Sequence, residues 1–311
     1  MEFSINIYGI NLNILIDLNQ ILLSGITRAV KPKQKLNEKE VTLIALSVLR
    51  SFRKKFNDYT NVIICCDSQT YWRKTYFPNY KQHRKSDRDK SQLDWETIFK
   101  VLNKLKHDLK TYFPYTVLEI QDAEADDIIG TLIPYLSEKT PDIPSLILSS
   151  DGDFIQLQKY KNVKQYSPIL SAYITEKNPE RKLKEKLIKG DYKDGIPNVL
   201  SHDNVFVIKK RQSPISDDKL QSWLELDPKD FLSEEHYRNY IRNDMLINFD
   251  NIPNILKINI INEYETLSNT TMGIENADNN SFKQLMNSKN KIYDYLIDNN
   301  LTELMEVINE F

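Results

Sequence analysis

Acidic residues stand directly after several short apolar stretches of this chain. Asp17 ends "NILID", Asp67 ends "VIICCD", and Asp151 of "SSDGDF" follows the apolar run "LIL". A turn needs at most one acid, yet Asp153 adds a second carboxylate two positions later. If the apolar stretches are parallel strands, their carboxyl ends meet at one edge of a sheet, and we expect these acids to lie together there.

Two more acidic motifs have the spacing of neighbours on a helix or turn. In "EADD", Glu124 and Asp127 are three residues apart and share one helix face, with Asp126 between them. In "GDYKD", Asp191 and Asp194 have the same spacing. These motifs add five carboxylates to the four at the strand ends.

Each motif alone has an ordinary explanation. A single DGD is usually a turn, and EADD is also typical of a helix N-terminus that uses the helix dipole. An EF-hand is excluded because Ile155 occupies a ligand position. The hypothesis of a catalytic site therefore depends on the motifs occurring together.

A convergence of six or more carboxylates needs protons or counter-ions. Two unit charges 4 Å apart repel by about 4 kcal/mol at an effective dielectric constant near 20. The chain has four His, and no Cys lies near most of the acids. Oxygen ligands favour Mg²⁺ or Mn²⁺ over zinc, and two such ions suit phosphoryl chemistry.

A basic stretch with interleaved aromatic residues follows Asp67, although the whole chain carries a formal net charge of −2. Its cations are Arg73, Lys74, Lys81, Arg84, Lys85, Arg88 and Lys90, and its rings are Tyr71, Trp72, Tyr76, Phe77 and Tyr80. Cations neutralise phosphates and rings stack on unpaired bases, as on surfaces that bind single strands. The alternative is a solvated loop with rings turned into the core, which is the preferred interpretation for Trp72 and Phe77 individually.

Two basic residues just beyond Pro78 are the candidates for touching a reacting phosphodiester. These are Lys81 and Arg84, and cations at that place would stabilise the charge that develops during attack. A second basic cluster spans positions 181–189 and is offset only by Glu185.

Length and composition limit the class of protein. A chain of 311 residues can form one large domain or two of moderate size. Cys65 and Cys66 are adjacent in an apolar run, so they are badly placed to bridge each other and fit a reducing compartment. With no leader segment visible and no apolar stretch of the roughly 18 residues that span a membrane, we expect a soluble cytoplasmic protein.

The sequence predicts an α/β fold with a mostly parallel central sheet flanked by helices. Strands are expected at 13–17, 61–66, 115–120, 145–148 and 163–166, and helices at 41–56, 93–109 and 124–136. Asn37 with Glu40 forms a helix-start pair before the first of these helices. Beyond a boundary near 180–190 we expect a smaller, mainly helical part, with helices at 217–226, 234–246, 282–299 and 302–311 and a loop at 263–281.

Several segments together resemble the phage and bacterial 5′ nuclease family, which includes flap endonucleases and polymerase-associated 5′–3′ exonucleases. They are "YWRK" with "YKQHR", "EADD", "SSDGDFIQLQKYKNVKQYSP", "KGDYKD" and "LINFDNIP", and the likeness runs from about Leu12 to the C-terminal "INEF". Within this family the chain is most similar to the ribonuclease H type of T-even bacteriophages.

This resemblance implies a fold and an activity. The fold would be a PIN-like catalytic domain over 1–185, with a basic arch at about 70–92, and a mainly helical DNA-binding domain over 186–311. The activity would be 5′–3′ hydrolysis of RNA–DNA and DNA–DNA duplexes and of 5′ flaps, used to remove RNA primers from lagging-strand fragments. A single-strand DNA-binding protein and a sliding clamp are implied as partners by the family alone, and we expect a monomer.

The resemblance also assigns residues. Asp17, Asp67, Glu124, Asp126, Asp127 and Asp151 would surround a first Mg²⁺, and Asp153, Asp191 and Asp194 would serve a second, with Mn²⁺ as a substitute. Lys81, Arg84 and Asp151 would be catalytic. Arg73, Lys81 and Arg84 match the basic positions of the family's arch, and Tyr80 matches its aromatic one. Further nucleic-acid contacts are expected from this chain's own basic residues Lys74, Lys85, Lys189, Lys193, Lys209, Lys210 and Arg211.

The chain departs from the family pattern after "GDYKD". Gly195 stands where Asn is usual, and the "GVxGIG" turn that grips duplex phosphates in many members is absent. Phosphate contacts are therefore expected instead from basic residues near this place, Lys189, Lys193 and the cluster at 209–211.

Three other classes of protein fit the sequence less well. A phosphatase of the haloacid dehalogenase type needs Asp-x-Asp after the first strand, but Asn19 follows Asp17 at that spacing. A nucleotide-binding dehydrogenase needs a Gly-rich turn, which is missing among seven glycines. A DNA-binding factor with a vestigial site is the non-enzymatic alternative, and metal-dependent cleavage would separate it from a nuclease.

Overall fold

The computed structural model describes residues 11–30, 36–91, 93–272 and 280–311. Within them, one sheet has the strand order β3-β2-β1-β4-β5-β6, with β6 antiparallel to β5 and all other pairs parallel. The strands are β1 Asn13–Asp17, β2 Asn61–Cys66, β3 Thr116–Glu119, β4 Ser145–Leu148, β5 Val163–Ser167 and β6 Ala172–Ile174. The predicted α/β class with a mostly parallel sheet is confirmed.

Helices cover both faces of this sheet and build the region after it. They are α1 Leu18–Ala29, α2 Glu38–Lys55, α3 Trp72–Tyr76, α4 Arg84–Asp89, α5 Trp95–Tyr112, α6 Ala125–Lys139, α7 Pro179–Lys189, α8 Asp217–Leu224, α9 Pro228–Phe231, α10 Glu234–Ile247, α11 Asn254–Met272 and α12 Asn280–Asp298. Three 3₁₀ segments cover Gly152–Lys159, Phe249–Asn251 and Thr302–Glu310.

The central strands are apolar because both of their faces are covered, as in most parallel sheets. Along β1, Ile14 and Ile16 point into the cluster that includes α1, α2, α5 and α12. Leu15 points the other way, into the cluster beneath α6 and α11. All five residues of β1 are buried, so this strand lies at the centre of the core.

Several local predictions are confirmed residue by residue. The strands predicted at 13–17, 61–66 and 145–148 have those bounds. The Asn37 side chain accepts from the Glu40 amide while the Glu40 carboxylate accepts from the Asn37 amide, which is the expected capping pair. These features depend on short-range patterns and therefore need little tertiary information.

Other local predictions are wrong or incomplete. The loop predicted over 263–281 is helical up to Met272, where α11 ends, and 273–279 lie outside the described residues. The helix predicted at 302–311 is a 3₁₀ segment. The prediction omitted α1, α7 and α11, although Leu18, Ile21 and Leu22 already give α1 a helical apolar spacing.

The C-terminal helices share the core of the N-terminal half. Ile292, Tyr295 and Leu296 of α12 pack in the cluster formed with α1, α2 and α5. Leu256 and Ile260 of α11 pack beneath α6. Residues from α7 to α10 form a smaller cluster of their own, and they share another with Phe77 and Tyr80 of the basic stretch. The domain boundary near 186 remains a prediction, and part of the chain after it packs against the helices and strands of the N-terminal half.

Across the described residues, every helix is too short or too polar to cross a membrane.

Candidate functional site

The strand register brings three predicted acids to one edge of the sheet. Asp17 pairs with Cys65 at the carboxyl end of β1, two residues before Asp67. On the other side, Ile16 pairs with Leu148, three residues before Asp151. Glu124 stands at the same edge as the N-cap of α6, after β3. This is where an open parallel sheet places its functional groups.

Hydrogen bonds hold the first two acids in fixed orientations. Asp17 accepts from the Ser149 hydroxyl at 3.0 Å and, as the N-cap of α1, from the Gln20 amide at 3.1 Å. Asp67 accepts from the Asn19 side chain at 2.7 Å and from the Ala125 amide at 2.8 Å. The second of these bonds ties the end of β2 to the first turn of α6.

Four acids at this edge form no ion pair within 4.0 Å in the described parts of the chain. We call these four, Asp17, Asp67, Asp126 and Asp151, the inner acids. Burial and then the charge of Asp67 together raise the pKa of Asp17 to about 7. Burial, then the charges of Asp151 and Asp17, raise the pKa of Asp126 well above its usual range. The inner acids therefore lie close enough to repel one another.

The EADD acids at positions 124 and 127 are instead paired with cations. Glu124 contacts Arg73 at 3.0 Å and Lys81 at 2.5 Å, and is 2 % exposed. Asp127 contacts Arg73 at 2.8 Å, accepts from the Trp72 indole at 3.2 Å, and is fully buried. Its other contact is the Glu124 amide, in a reciprocal cap of α6.

Asp194 is held by the basic stretch. Its carboxylate contacts Arg84 at 2.6 Å and Lys81 at 3.7 Å, and accepts from the Tyr80 hydroxyl at 2.9 Å. Burial raises its pKa, but the charges of Lys81 and Arg84 outweigh burial and lower it to about 2. Lys81 has a φ of +56°, a strained conformation for a residue with a side chain, and its amide donates to the Asp194 carbonyl at 2.8 Å.

The remaining two acids share one lysine. Lys186 of α7 contacts Asp191 at 2.7 Å and also contacts Asp153. Asp153 in turn donates its amide to Asp151 at 3.0 Å, which joins this pair to the inner acids. The turn after α7 depends on Gly190 and Gly195, with φ of +70° and +72°. A positive φ suits glycine, which has no Cβ, and the turn needs it at both positions.

The donor set fits a hard divalent cation. Across the described residues, no group of three His, Cys, Asp or Glu side chains is arranged so that it could hold one ion as it stands. However, the inner acids are carboxylates only, they crowd one another, and no lysine or arginine in the described ranges pairs with them. Such oxygens are the ligands that Mg²⁺ and Mn²⁺ prefer, and a cation there would relieve the repulsion.

The residues predicted to contact nucleic acid divide into two groups. Lys74, Lys85, Lys189, Lys193, Lys209, Lys210 and Arg211 are exposed, and Lys81 and Arg84 are 14 % and 42 % exposed. Arg73 and Tyr80 are 3 % and 1 % exposed. Both remain predicted contacts, but both are buried, because Arg73 pairs with Glu124 and Asp127 and the Tyr80 ring packs in a core cluster.

Sequence reasoning missed several residues that position the acids. Lys106 is 8 % exposed and donates to the Asp67 carbonyl at 3.0 Å and to Glu119 at 2.6 Å. A signal existed, since Lys106 follows Leu102 by four residues on the apolar face of α5. Lys186 was noticed only as part of a basic cluster, and nothing in the local pattern indicates that it pairs with acids.

Comparison with known families gives two matches that together span the chain. Residues 14–190 match the model of the 5′–3′ exonuclease N-terminal resolvase-like domain. The chain belongs to the 5′–3′ exonuclease family. Residues 177–311 match the model of the C-terminal part of T4 RNase H. The predicted family is confirmed, and the chain is a nuclease of that family.

Curated relatives of this family agree. The ribonuclease H of Enterobacteria phage T4 is 33% identical over 308 residues, covering 96% of this chain and 95% of that protein. A 5′–3′ exonuclease of Buchnera aphidicola subsp. Schizaphis graminum is 32% identical over 47% of this chain and 50% of its own length. The flap endonuclease Xni of Shewanella pealeana is 33% identical over 47% of this chain and 54% of its own length.

Solved structures share the fold. A bacteriophage T5 flap endonuclease, determined as a pseudo-enzyme-product complex with DNA and metal ions, has a TM-score of 0.57 at 18% identity. The alignment covers 81% of this chain and 96% of that one. At this identity the likeness supports the fold and leaves the site to be argued from this chain's own residues.

Proposed function

We propose that this nuclease is a divalent-metal-dependent 5′–3′ enzyme that hydrolyses phosphodiesters in RNA–DNA and DNA–DNA duplexes and in 5′ flaps. One observation carries the proposal, namely four mutually repelling inner acids at the carboxyl edge of the sheet, to which no lysine or arginine of the described residues is paired. In replication, this activity would remove RNA primers from lagging-strand fragments.

The inner acids would hold a first Mg²⁺, and Asp153, Asp191 and Asp194 would face a second. Glu124 and Asp127 would not contact this ion directly, since Arg73 already neutralises them. Divalent ions, when bound, supply Lewis-acid activation of water and neutralise charge on the leaving oxygen. The chain's own part is to hold the carboxylates in place through Ser149, Asn19 and the α6 N-terminus.

Lys81 and Arg84 would bring the scissile phosphate to this edge. Both are partly exposed and contact Glu124 or Asp194, so a phosphate that arrives can replace a carboxylate as their partner. Burial lowers the pKa of Lys81, but the charges of Asp194 and Glu124 outweigh burial and raise it, so Lys81 stays protonated at neutral pH. A fixed ammonium beside the phosphate stabilises charge that develops during attack.

The exposed cations around this edge would bind the nucleic-acid backbone. Lys74 and Lys85 lie in the basic stretch, while Lys189 and Lys193 flank the turn after α7. Phosphate contacts of this kind give salt-sensitive binding without sequence preference. Binding to a single-strand DNA-binding protein or a sliding clamp, and a monomeric state, remain predictions from the family resemblance.

The test is cleavage of a 5′-labelled flap and of an RNA–DNA hybrid, with Mg²⁺ and with a chelator. Asp151→Asn keeps the shape of an inner acid and removes its charge, so we expect cleavage to be lost and salt-sensitive DNA binding to persist. Asp142→Asn, on an exposed loop, is the matched control. Full activity of the Asp151 variant would remove the metal assignment, and DNA binding by the parent chain without cleavage would favour the vestigial binding factor.

A further inference from the structure

Lys186 is a cation built into the carboxylate site, and none of the roles described above uses it. It belongs to the last turn of α7, which ends at Gly190 with the Gly190 amide donating to the Lys186 carbonyl at 2.7 Å. Its ammonium contacts Asp191 at 2.7 Å and also contacts Asp153. The three side chains are 23 %, 12 % and 10 % exposed, so the group is largely removed from water.

The two acids that Lys186 joins come from distant parts of the chain. Asp153 belongs to the 3₁₀ segment after β4, and Asp191 lies in the turn after α7. Two carboxylates held this close would repel each other strongly without a positive charge between them. The ammonium therefore holds the segment after β4 against the turn after α7.

Lys186 also has space to leave. A cleft of about 220 Å³ lies between the 3₁₀ segment and α7, and Lys186 lines it together with Lys182 and Lys189. A lysine side chain has four rotatable bonds and reaches solvent readily when its partner is taken by another cation. Its charge also extends to Asp151, whose pKa is raised by burial and lowered by Lys186.

From this arrangement we propose that Lys186 is a resident counter-ion of the Asp153–Asp191 pair, which it positions and for which it competes with a divalent cation. This inference rests on the proposed function, because the pair matters only if it takes part in ion binding. Occupation of the pair by a divalent ion would displace the ammonium into the cleft. Lys186 would thus weaken binding of the second ion. It would also hold Asp153 and Asp191 close together before that ion binds.

The experiment measures Mn²⁺ binding to the whole chain, without nucleic acid, by the loss of the free-ion electron paramagnetic resonance signal and by calorimetry. Lys186→Met removes the charge and keeps the apolar stem. Lys186→Gln also removes the charge and still donates hydrogen bonds to both acids, so it serves if the Met variant fails to fold. Lys182→Met is the matched control, because Lys182 lines the same cleft but pairs with Glu185 at 2.9 Å.

We expect the weaker of two Mn²⁺ affinities to improve by about tenfold or more in both Lys186 variants, since a unit charge no longer opposes the ion. Lys182→Met should bind Mn²⁺ as the parent does. Without Mn²⁺ the Lys186 variants should melt at a lower temperature than the parent, because Asp153 and Asp191 lack their counter-ion. Added Mn²⁺ should raise the melting temperature of these variants more than that of the parent.

An unchanged or weaker Mn²⁺ affinity in the Lys186 variants would overturn this inference, and it would leave the proposed function standing if the parent still cleaves with metal. Absence of any Mn²⁺ binding to the parent would overturn both. A purely structural role would lower the melting temperature of the Lys186 variants and leave their Mn²⁺ affinity unchanged, which also counts against the proposal.

Discussion

The burial and crowding of Asp17 predict an unusual dependence of stability on pH in the metal-free protein. Asp17 is 6 % exposed, and burial followed by the charge of Asp67 raises its pKa to about 7. In the unfolded chain an aspartate titrates near 3.9. A difference of about 3 pKa units corresponds to roughly 4 kcal/mol of free energy of unfolding.

The sign follows from proton binding. Between about pH 4 and pH 7 the native state keeps the Asp17 proton while the unfolded chain has released it, so stability falls as the pH rises through this window and levels off above it. Between about pH 5 and pH 8 this group alone should remove roughly 2 to 3 kcal/mol. Asp194, with a pKa of about 2, acts in the opposite sense and only below about pH 4.

The assay is urea unfolding followed by tryptophan fluorescence in the presence of a chelator, at about pH 5 and pH 8. Asp17→Asn keeps the cap on α1 and can donate to Ser149, but it carries no charge. We expect the loss of stability between the two pH values to be smaller in this variant by roughly 2 kcal/mol, and its stability at the higher pH to exceed that of the parent.

Asp142→Asn, at an exposed loop position, controls for a general change of charge. Added Mg²⁺ should stabilise the parent more at the higher pH, because Asp17 is then ionised. An identical decline with pH in the parent and in Asp17→Asn would refute the reasoning, since it would mean that Asp17 does not carry a raised pKa in the native state.

Three further substitutions test separate parts of the structure. Lys81→Ala should lower turnover about 100-fold while changing the DNA dissociation constant less than about threefold, whereas a change confined to affinity in gel-shift titrations would reduce Lys81 to a binding contact. Gly190→Ala places a Cβ 2.3 Å from the Ile196 carbonyl oxygen at a φ of +70°, so the acidic turn must shift. Calorimetric titration should then show weaker Mn²⁺ binding, and unchanged binding would mean that the turn does not position the ions. Gly130→Ala places a Cβ 2.7 Å from the Phe249 ring and should lower the free energy of unfolding in urea by about 1 to 3 kcal/mol. The nuclease activity per folded molecule should persist, and its loss would contradict a packing role for Gly130.

The fold was largely predictable because its signals are short-range. The apolar run before Asp17 specifies a buried strand, and the run before Asp67 specifies its neighbour, which fixes the edge at which both acids appear. The helical end of the chain was less predictable. Ile260 and Tyr295 lie in helices whose packing surface is the sheet's own core. The polar sequence from 263 onward continues α11, and Tyr264 and Leu267 of it pack against that core.

Sequence alone determined which acids reach the carboxyl edge of the sheet, because strand ends and helix starts are encoded by neighbouring residues. Only the tertiary structure decided which of these acids are neutralised by a cation and which have no ion pair in the described part of the chain. Arg73 and Tyr80 point inward to Glu124, while Lys186 joins Asp153 to Asp191. Ion pairing depends on a few ångströms between groups far apart in the chain, and no local pattern specifies that distance.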